Sequence, residues 1–574
     1  MKQLLPAASL VPFDAWRALQ ARTVWRRPDS GVALHDYAYF IPLAGDHDAA
    51  WQGADGGARS FLAERYGGAG LVFNGGGARC GLLDDLQVKG IGRNCLAGSA
   101  TGFWHSYGGE TVANGVREAI WSELLHVALP FGAARVHGVL DTNTRVPAFG
   151  GDGAATSVPR GLTLREAALR PAHFMRAVYF SRADIRTHGL VPDNERTAAA
   201  IGMLEAALRH HGLGTATAGG ACYLGTALEQ LFERYGAQSA AALAKRIVHG
   251  TLNASNLCLD GRWIDFGTIS AISDYGRIAI GKSGEDIWDH GRIAKVAIEW
   301  VYYLQRFLAP SHAAAIPSGS DLYRTFLGTF DARLEIEFLK LTGLPESLLM
   351  PVSPSLRSTL YRCLRQIASA GNQTPFKLFQ PCMTATVAMP GRMGRYHLNT
   401  ILGRAALTAD EAHTDAALQA DLDDHALRAR FVEAYWSLRR ACRAGADTPQ
   451  ARAHLPLFVA LNALRVNRGL SQLYRHALDA DIAQRVGHGD DLQQYVDALV
   501  MHGQTVLAEP RAGRIGLDGW SAQRGAGDLA LTLEHGGQLG ASRLPAEILI
   551  GMLTDDAVSP ADKHKVIAIC QPSR

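Results

Sequence analysis

The sequence predicts an α+β fold of two lobes, a small β-rich N-terminal lobe and a larger helical lobe that carries a C-terminal extension. Three observations predict it. Residues 66 to 108 are rich in glycine and enclose short apolar runs of strand length. From Thr111 to Leu129, Val112, Val116, Ile120 and Leu124 recur about every four residues, the period of an amphipathic helix. From Glu285 to Gly503 helical patterns dominate, Ile298 to Leu308 being the clearest. The expected divisions are 1–160 for the N-lobe, 161–400 for the helical lobe, and 401–574 for an extension ending in a mixed segment.

Within the first division, Leu71-Val72-Phe73 and Leu86-Gln87-Val88 read as strands between glycine turns, and Val136 to Leu140 as another strand. Arg160 to Phe180 is mixed and basic. Ala198 to Leu208 and Ala221 to Val248 are helical by pattern. Leu257-Cys258-Leu259, then Asp260-Gly261, then Trp263-Ile264 is a hairpin, because Asp-Gly between apolar runs takes the positive φ that a tight turn needs. Gly525 to Gly540 reads as a loop or a small appended sheet.

Composition narrows the function classes. The 574 residues are 47% hydrophobic and 19% charged, enough apolar surface for a large core and unlike a disordered chain. Lys+Arg 57 against Asp+Glu 54 leaves +3, too even to imply nucleic acid or an anionic membrane as partner. No uncharged apolar run reaches the length of about 18 residues that a membrane span requires. The apolar N-terminus is broken by Pro6, Pro12, Asp14 and Arg17, so no secretory signal is expected. The eight cysteines lie far apart, without metal-site spacing, and read as reduced thiols of a cytoplasmic protein.

A small sheet, a helix, a helical region and a polar hairpin in that order is the arrangement of a protein-kinase-like fold. Such a fold needs a glycine turn near phosphates, a strand lysine, a helix glutamate, a catalytic loop and a metal-binding Asp. Lys89 closes the Leu86–Val88 run; the commoner reading of a lysine there is a rim residue reaching solvent. Glu118 lies on the Thr111–Leu129 helix, where a single Glu is more often an exposed carboxylate. If it pairs with Lys89, it aims the ammonium at phosphate oxygens. His249-Gly250-Thr251-Leu252-Asn253-Ala254-Ser255-Asn256 precedes Ile264-Asp265-Phe266-Gly267. Asn256 and Asp265, nine positions apart across the hairpin, return to one place, where an amide oxygen and a carboxylate hold a Mg²⁺ ion bound to phosphates. Singly, each is also an ordinary turn residue. Arg165 and Arg170 offer two planar forks for phosphate oxygens, or a solvated basic face. No residue from 249 to 256 is acidic, so the proton acceptor that kinase loops supply is missing.

These segments resemble the SelO (YdiU) family, pseudokinases that bind ATP in a flipped orientation and transfer AMP. Val88-Lys89-Gly90, Arg117-Glu118 with Trp121-Ser122-Glu123, Arg165 and Arg170 with His173-Phe174, His249 to Asn256, and Asp265-Phe266-Gly267 match its motifs in order over residues 60 to 310. The resemblance implies an ATP- and Mg²⁺-dependent adenylyltransferase. In it Lys89, oriented by Glu118, holds the phosphates, Gly67, Gly68, Gly108, Arg165 and Arg170 hold the nucleotide, and Asn256 and Asp265 bind Mg²⁺. The chain departs from the family at Ala69, where the family has an arginine that Arg79 replaces in another register. It departs again at Ser255, where the family has its catalytic Asp, and at Cys570, which lacks a redox partner.

Ser255 bears on the acceptor. A hydroxyl, with a pKa of about 10 or more, needs a base, whereas a carboxylate, with a pKa near roughly 4, is already ionised. The relatives that fit are the MchC/MceJ-type proteins of microcin maturation, which resemble SelO and act with a small acyltransferase on a peptide's C-terminal carboxylate. The expectation is AMP transfer to a protein or peptide substrate, as an acyl-adenylate. The alternatives are AMP transfer to protein hydroxyls, a non-catalytic nucleotide-binding scaffold, and a small-molecule phosphotransferase.

Overall fold

Eight strands form one antiparallel sheet, to which a long run of helices is joined. The computed structural model describes residues 1–43, 57–71, 73–102, 107–149, 155–214, 220–279, 289–378, 386–446, 449–508, 520–524, 529–533 and 542–544. The strands are β1 (Leu10–Arg17), β2 (Arg22–Arg26), β3 (Tyr39–Phe40), β4 (Ala58–Glu64), β5 (Cys80–Leu83), β6 (Leu86–Lys89), β7 (Val136–Phe149) and β8 (Ala155–Glu166). Their order across the sheet is β2-β7-β8-β6-β5-β4-β1-β3. The protein is therefore a mixed α+β structure.

The β5–β6 hairpin turns at Asp84, which takes φ +54°, and its register sets Cys80 opposite Lys89. On β6 the period of two puts Gln87 and Lys89 on one face, while Val88 enters the small core with Leu83, Ile91 and Leu164. Leu71 and Phe73 are not in a strand: the chain turns there, Asn74 donating its backbone N–H to Leu71 O at 3.1 Å. Val72 lies outside the described residues. Glycines on both sides supply turn conformations, and three apolar residues alone cannot hold an extended segment against them. The β7–β8 hairpin carries the sheet to Glu166, past the boundary expected at residue 160.

Helix α1 (Val112–Ala128) starts where Thr111 accepts from Asn114 N at 3.0 Å, an N-cap. Val112, Val116, Ile120 and Leu124 are buried, as their spacing predicts, but so are Arg117, Glu118 and Glu123. One face lies on the sheet so closely that a Cβ on Gly115 would stand 2.8 Å from Val139 Cγ1. The helix expected over Ala198–Leu208 is two, Asp193–Gly202 and Leu204–His210, with Met203 between them. Next come α2 (Gly220–Ala244), α3 (Asp289–Phe307), α4 (Gly319–Lys340), α5 (Pro354–Ser369) and α6 (His425–Ala444). Tyr235 of α2, Trp300 of α3, Phe326 of α4, Leu360 of α5 and Phe431 of α6 share one large core with α1.

The C-terminal extension returns to the sheet. Its helices α7 (Arg475–His488) and α8 (Leu492–Leu507) pack on α1, with α8 close enough that a Cβ on Gly503 would meet Leu124 Cδ2 at 2.5 Å. Asp497 of α8 accepts from Trp25 Nε1 of β2 at 3.0 Å. Of the glycine-rich stretch Gly525–Gly540, Leu529–Leu533 is the central strand of a small three-stranded sheet, and the remainder lies outside the described residues. Cys80, Cys95, Cys258, Cys363 and Cys442 are free thiols. The side chain of Cys222, and Cys382 and Cys570 entirely, lie outside the described residues. Among the described residues no helix is long and apolar enough to cross a membrane.

Candidate functional site

A cleft of about 900 Å³ lies between the sheet, the N-terminal end of α1, the 251–268 segment and α7. At its floor is Lys89. The ammonium donates to Glu118 Oε2 at 2.5 Å and to Asp265 Oδ1 at 2.9 Å, with Glu110 at 3.7 Å. A lysine ending a strand would ordinarily reach solvent, but Lys89 is only 2% exposed. Its charge tolerates that burial because three carboxylates surround it; burial opposes the ammonium, and Asp265, Glu118 and Glu110 together raise its pKa.

Asp265 reaches Lys89 from the far side of the cleft on the predicted hairpin. Cys258 N donates to Arg262 O, Gly261 N to Cys258 O, and Ile264 N to Asn256 O. Asp265 itself takes φ +66°, a left-handed conformation that Asp adopts more readily than most residues. Burial works against its charge, but Lys89, Arg165 and Arg79 outweigh it and hold the carboxyl well below the usual carboxylate range. Asn256 lines the same cleft. Its Nδ2 donates to Thr251 O at 2.9 Å, so the amide oxygen, 3.4 Å from Ser255 Oγ, is the end that would take a cation. Ser255 donates its hydroxyl to Asn253 Oδ1 at 2.6 Å. The loop is anchored from α3, where Asp289 accepts the backbone N–H of His249 at 2.6 Å and of Gly250 at 2.9 Å.

Arg165 and Arg170 do different things. Arg165 Nε donates to Gln87 Oε1 at 2.8 Å, and its guanidinium pairs with Glu118 Oε1. It thus orients the glutamate that orients Lys89. Arg170 donates to Ser255 O at 3.1 Å and stacks over Tyr66, 5.0 Å from the ring centre. Among the described residues its buried Nε and Nη2 have no hydrogen-bond partner.

The three glycines expected at the nucleotide do not line the cleft. Gly67 crosses the 175–176 backbone, where a Cβ would lie 2.1 Å from Arg176 C, and Gly68, φ +91°, donates to Arg176 O. Gly108, φ +83°, backs onto Arg93, where a Cβ would come within 2.1 Å of the backbone nitrogen. These glycines serve close backbone packing. From the same glycine-rich stretch, the glycines that line the cleft are Gly70, Gly76 and Gly77, beside Arg79. Sequence reasoning passed over Glu110, which pairs with Arg79 at 3.3 Å, and Gln87, which shares the strand face of Lys89. That face was legible from the period of two. Nothing local in the sequence points to Arg475, whose guanidinium reaches Gly267 O from α7.

Under the floor lies a fully buried relay. His173 Nδ1 accepts from Arg170 N at 3.0 Å, so the proton is on Nε2, which donates to Glu64 Oε1 at 3.2 Å. Burial lowers the pKa of His173 and of His249, keeping both rings neutral. A lowered native pKa means the unfolded chain takes up the proton first on acidification. Stability is complete above the ordinary histidine pKa of about 6.5 and declines as pH falls below it. Denaturant midpoints measured at about pH 7.5 and about pH 5.5 will show the lower value at the acid end. Equal midpoints would mean that these rings are not held neutral.

Among the described residues no group of three or more His, Cys, Asp or Glu is arranged to hold a metal ion. An amide oxygen, a carboxylate and substrate phosphates suffice for Mg²⁺, which keeps much of its water. No protein-family model matches the chain, and no curated protein matches it.

Proposed function

We propose that the cleft binds ATP with Mg²⁺ and that the protein is an adenylyltransferase of kinase-like fold that activates a carboxylate. The observation that carries this reading is the meeting of Lys89, Glu118 and Asp265 at the cleft floor, with Asn256 and Arg170 lining the same cleft. Lys89 and Arg170 supply cationic donors for phosphate oxygens. Glu118, itself fixed by Arg165, holds Lys89 in place. Asp265 and the Asn256 oxygen are the groups that would hold Mg²⁺, which would supply charge neutralisation for the phosphates.

Among the described residues, the acidic side chains that line the cleft are Glu110, Glu118 and Asp265, each ion-paired to Lys89 or Arg79. None of these three is free to take a proton from a hydroxyl, and Ser255 is a hydrogen-bonded hydroxyl, not a base. A carboxylate acceptor needs no base. One of its oxygens attacks the α-phosphorus, the bond to the bridging oxygen of pyrophosphate breaks, and acyl-adenylate and pyrophosphate result. A peptide C-terminus is the acceptor class proposed, with a small acyltransferase as the consumer of the adenylate.

The test incubates purified protein with Mg²⁺, ATP and a peptide bearing a free C-terminal carboxylate, traps with hydroxylamine, and assays pyrophosphate. Pyrophosphate and a peptide hydroxamate are expected, both lost when the peptide is amidated. Release of ADP would make it a phosphotransferase. AMP on protein hydroxyls would restore the other acceptor class, and nucleotide binding with neither product would make it a scaffold.

A further inference from the structure

We infer that Asp479 and Arg475, on α7 of the C-terminal extension, are positioning residues that tie the helix of Glu118 to the hairpin of Asp265. The inference rests on the nucleotide reading above and adds to it a source of alignment outside both elements.

The ties form a closed circuit. Arg117, the residue before Glu118, sends Nη1 to Asp479 Oδ1 at 2.5 Å and Nη2 to Asn114 Oδ1 at 2.9 Å. The other oxygen of Asp479 lies 3.4 Å from Arg475 Nε. Arg475 then bonds Gly267 O through its guanidinium, and its backbone N–H donates to Ser270 Oγ at 3.0 Å. Gly267 stands two residues beyond Asp265, which meets Lys89, which meets Glu118, beside Arg117. One helix of the extension therefore touches both halves of the Lys89 centre from behind, while Arg475, Ala483, Val486 and Gly487 of the same helix form a wall of the cleft.

Asp479 is the keystone because of charge. Arg117 and Arg475 are 8% and 11% exposed at their side chains, and the carboxylate of Asp479 lies between them and offsets their repulsion. Burial and the nearby Arg117 both press against the charge of Arg475, and Asp479 supports it. Without that carboxylate, two largely desolvated guanidiniums face each other across the α1–α7 contact, and the contact opens. Opening it frees the Glu118 end of α1 and the 265–270 segment together. Packing by Leu478 and Ile482, which are buried on α7, holds the helix on the core but does not set the spacing of those two groups.

The test compares the full-length wild type with Asp479→Asn and Asp479→Glu. Binding of ATP is measured by calorimetry with and without Mg²⁺, and amide hydrogen exchange is followed in α1 and in residues 265–270. Asp479→Asn should weaken Mg²⁺–ATP binding about tenfold, the scale of coupling in a charge-assisted network, and weaken metal-free ATP less. Exchange should quicken at both α1 and the hairpin, while α4 and α6 keep wild-type protection. Asp479→Glu should restore most of the loss. Arg475→Lys keeps the charge but cannot bond Asp479 and Gly267 at once; it should act in the same direction, and serves if Asp479→Asn does not fold. Wild-type affinity and exchange in Asp479→Asn overturn the inference while leaving the nucleotide reading intact. A wild type that binds no Mg²⁺–ATP overturns that reading, and this inference with it.

Discussion

Asp265→Asn will lower pyrophosphate release by at least about a thousandfold, the scale of losing a principal electrostatic group, and leave the thermal midpoint close to that of the wild type. The two effects separate for structural reasons. Asparagine is the same size and accepts the left-handed backbone at φ +66°, whereas alanine would add strain of roughly 1–2 kcal/mol. The Asp265 side chain is 32% exposed, so its neutral replacement can be solvated from the cleft. Lys89 keeps Glu118 and Glu110 as counter-charges. What disappears is the carboxylate proposed for Mg²⁺. Pyrophosphate assays and thermal melts on the same preparation check both halves. Activity above about a tenth of the wild type would remove Asp265 from the metal role.

Lys89→Met should behave differently, costing stability as well as activity. Lys89 and Glu118 are 3% and 4% exposed at their side chains, and the ammonium is the shared partner of three carboxylates. Breaking a buried pair by removing one partner costs about 3–5 kcal/mol, because the remaining charge has neither solvent nor counter-ion. Arg165 still pairs with Glu118, and Arg79 with Glu110, which places the expected loss at the lower end of that range. Urea denaturation will show a lower midpoint with an unchanged slope, and ATP binding will be lost. A variant as stable as the wild type would mean that the centre is wetter and its charges more independent than the geometry indicates.

Parts of this arrangement were legible in the residues because they are local. Four apolar residues at helical spacing locate α1, and Thr111 marks its start. The pair Asp260-Gly261 closes the turn that brings Asn256 and Asp265 to one cleft, since a hairpin returns its flanks together whatever surrounds it. Lys89 and Gln87 share a strand face by the period of two.

The glycines show where local reasoning stops. Gly67-Gly68 and Gly76-Gly77 are equal by composition, and only packing decides that the first pair fits under the Met175–Arg176 backbone while the second faces the cleft. Arg165 and Arg170 look alike in the chain, yet Glu118 and Gln87 occupy the first, while Nε and Nη2 of the second have no hydrogen-bond partner among the described residues. The contact of Arg475 with the carbonyl of Gly267 joins residues 208 positions apart. Periodicity and turn chemistry are properties of neighbours along the chain, so the sequence by itself determined the elements and the approach of Asn256 to Asp265. The burial of Lys89 among three carboxylates, and the return of the extension to α1, belong to the tertiary structure. Both depend on which distant surfaces exclude water from one another, and no short stretch of residues carries that information.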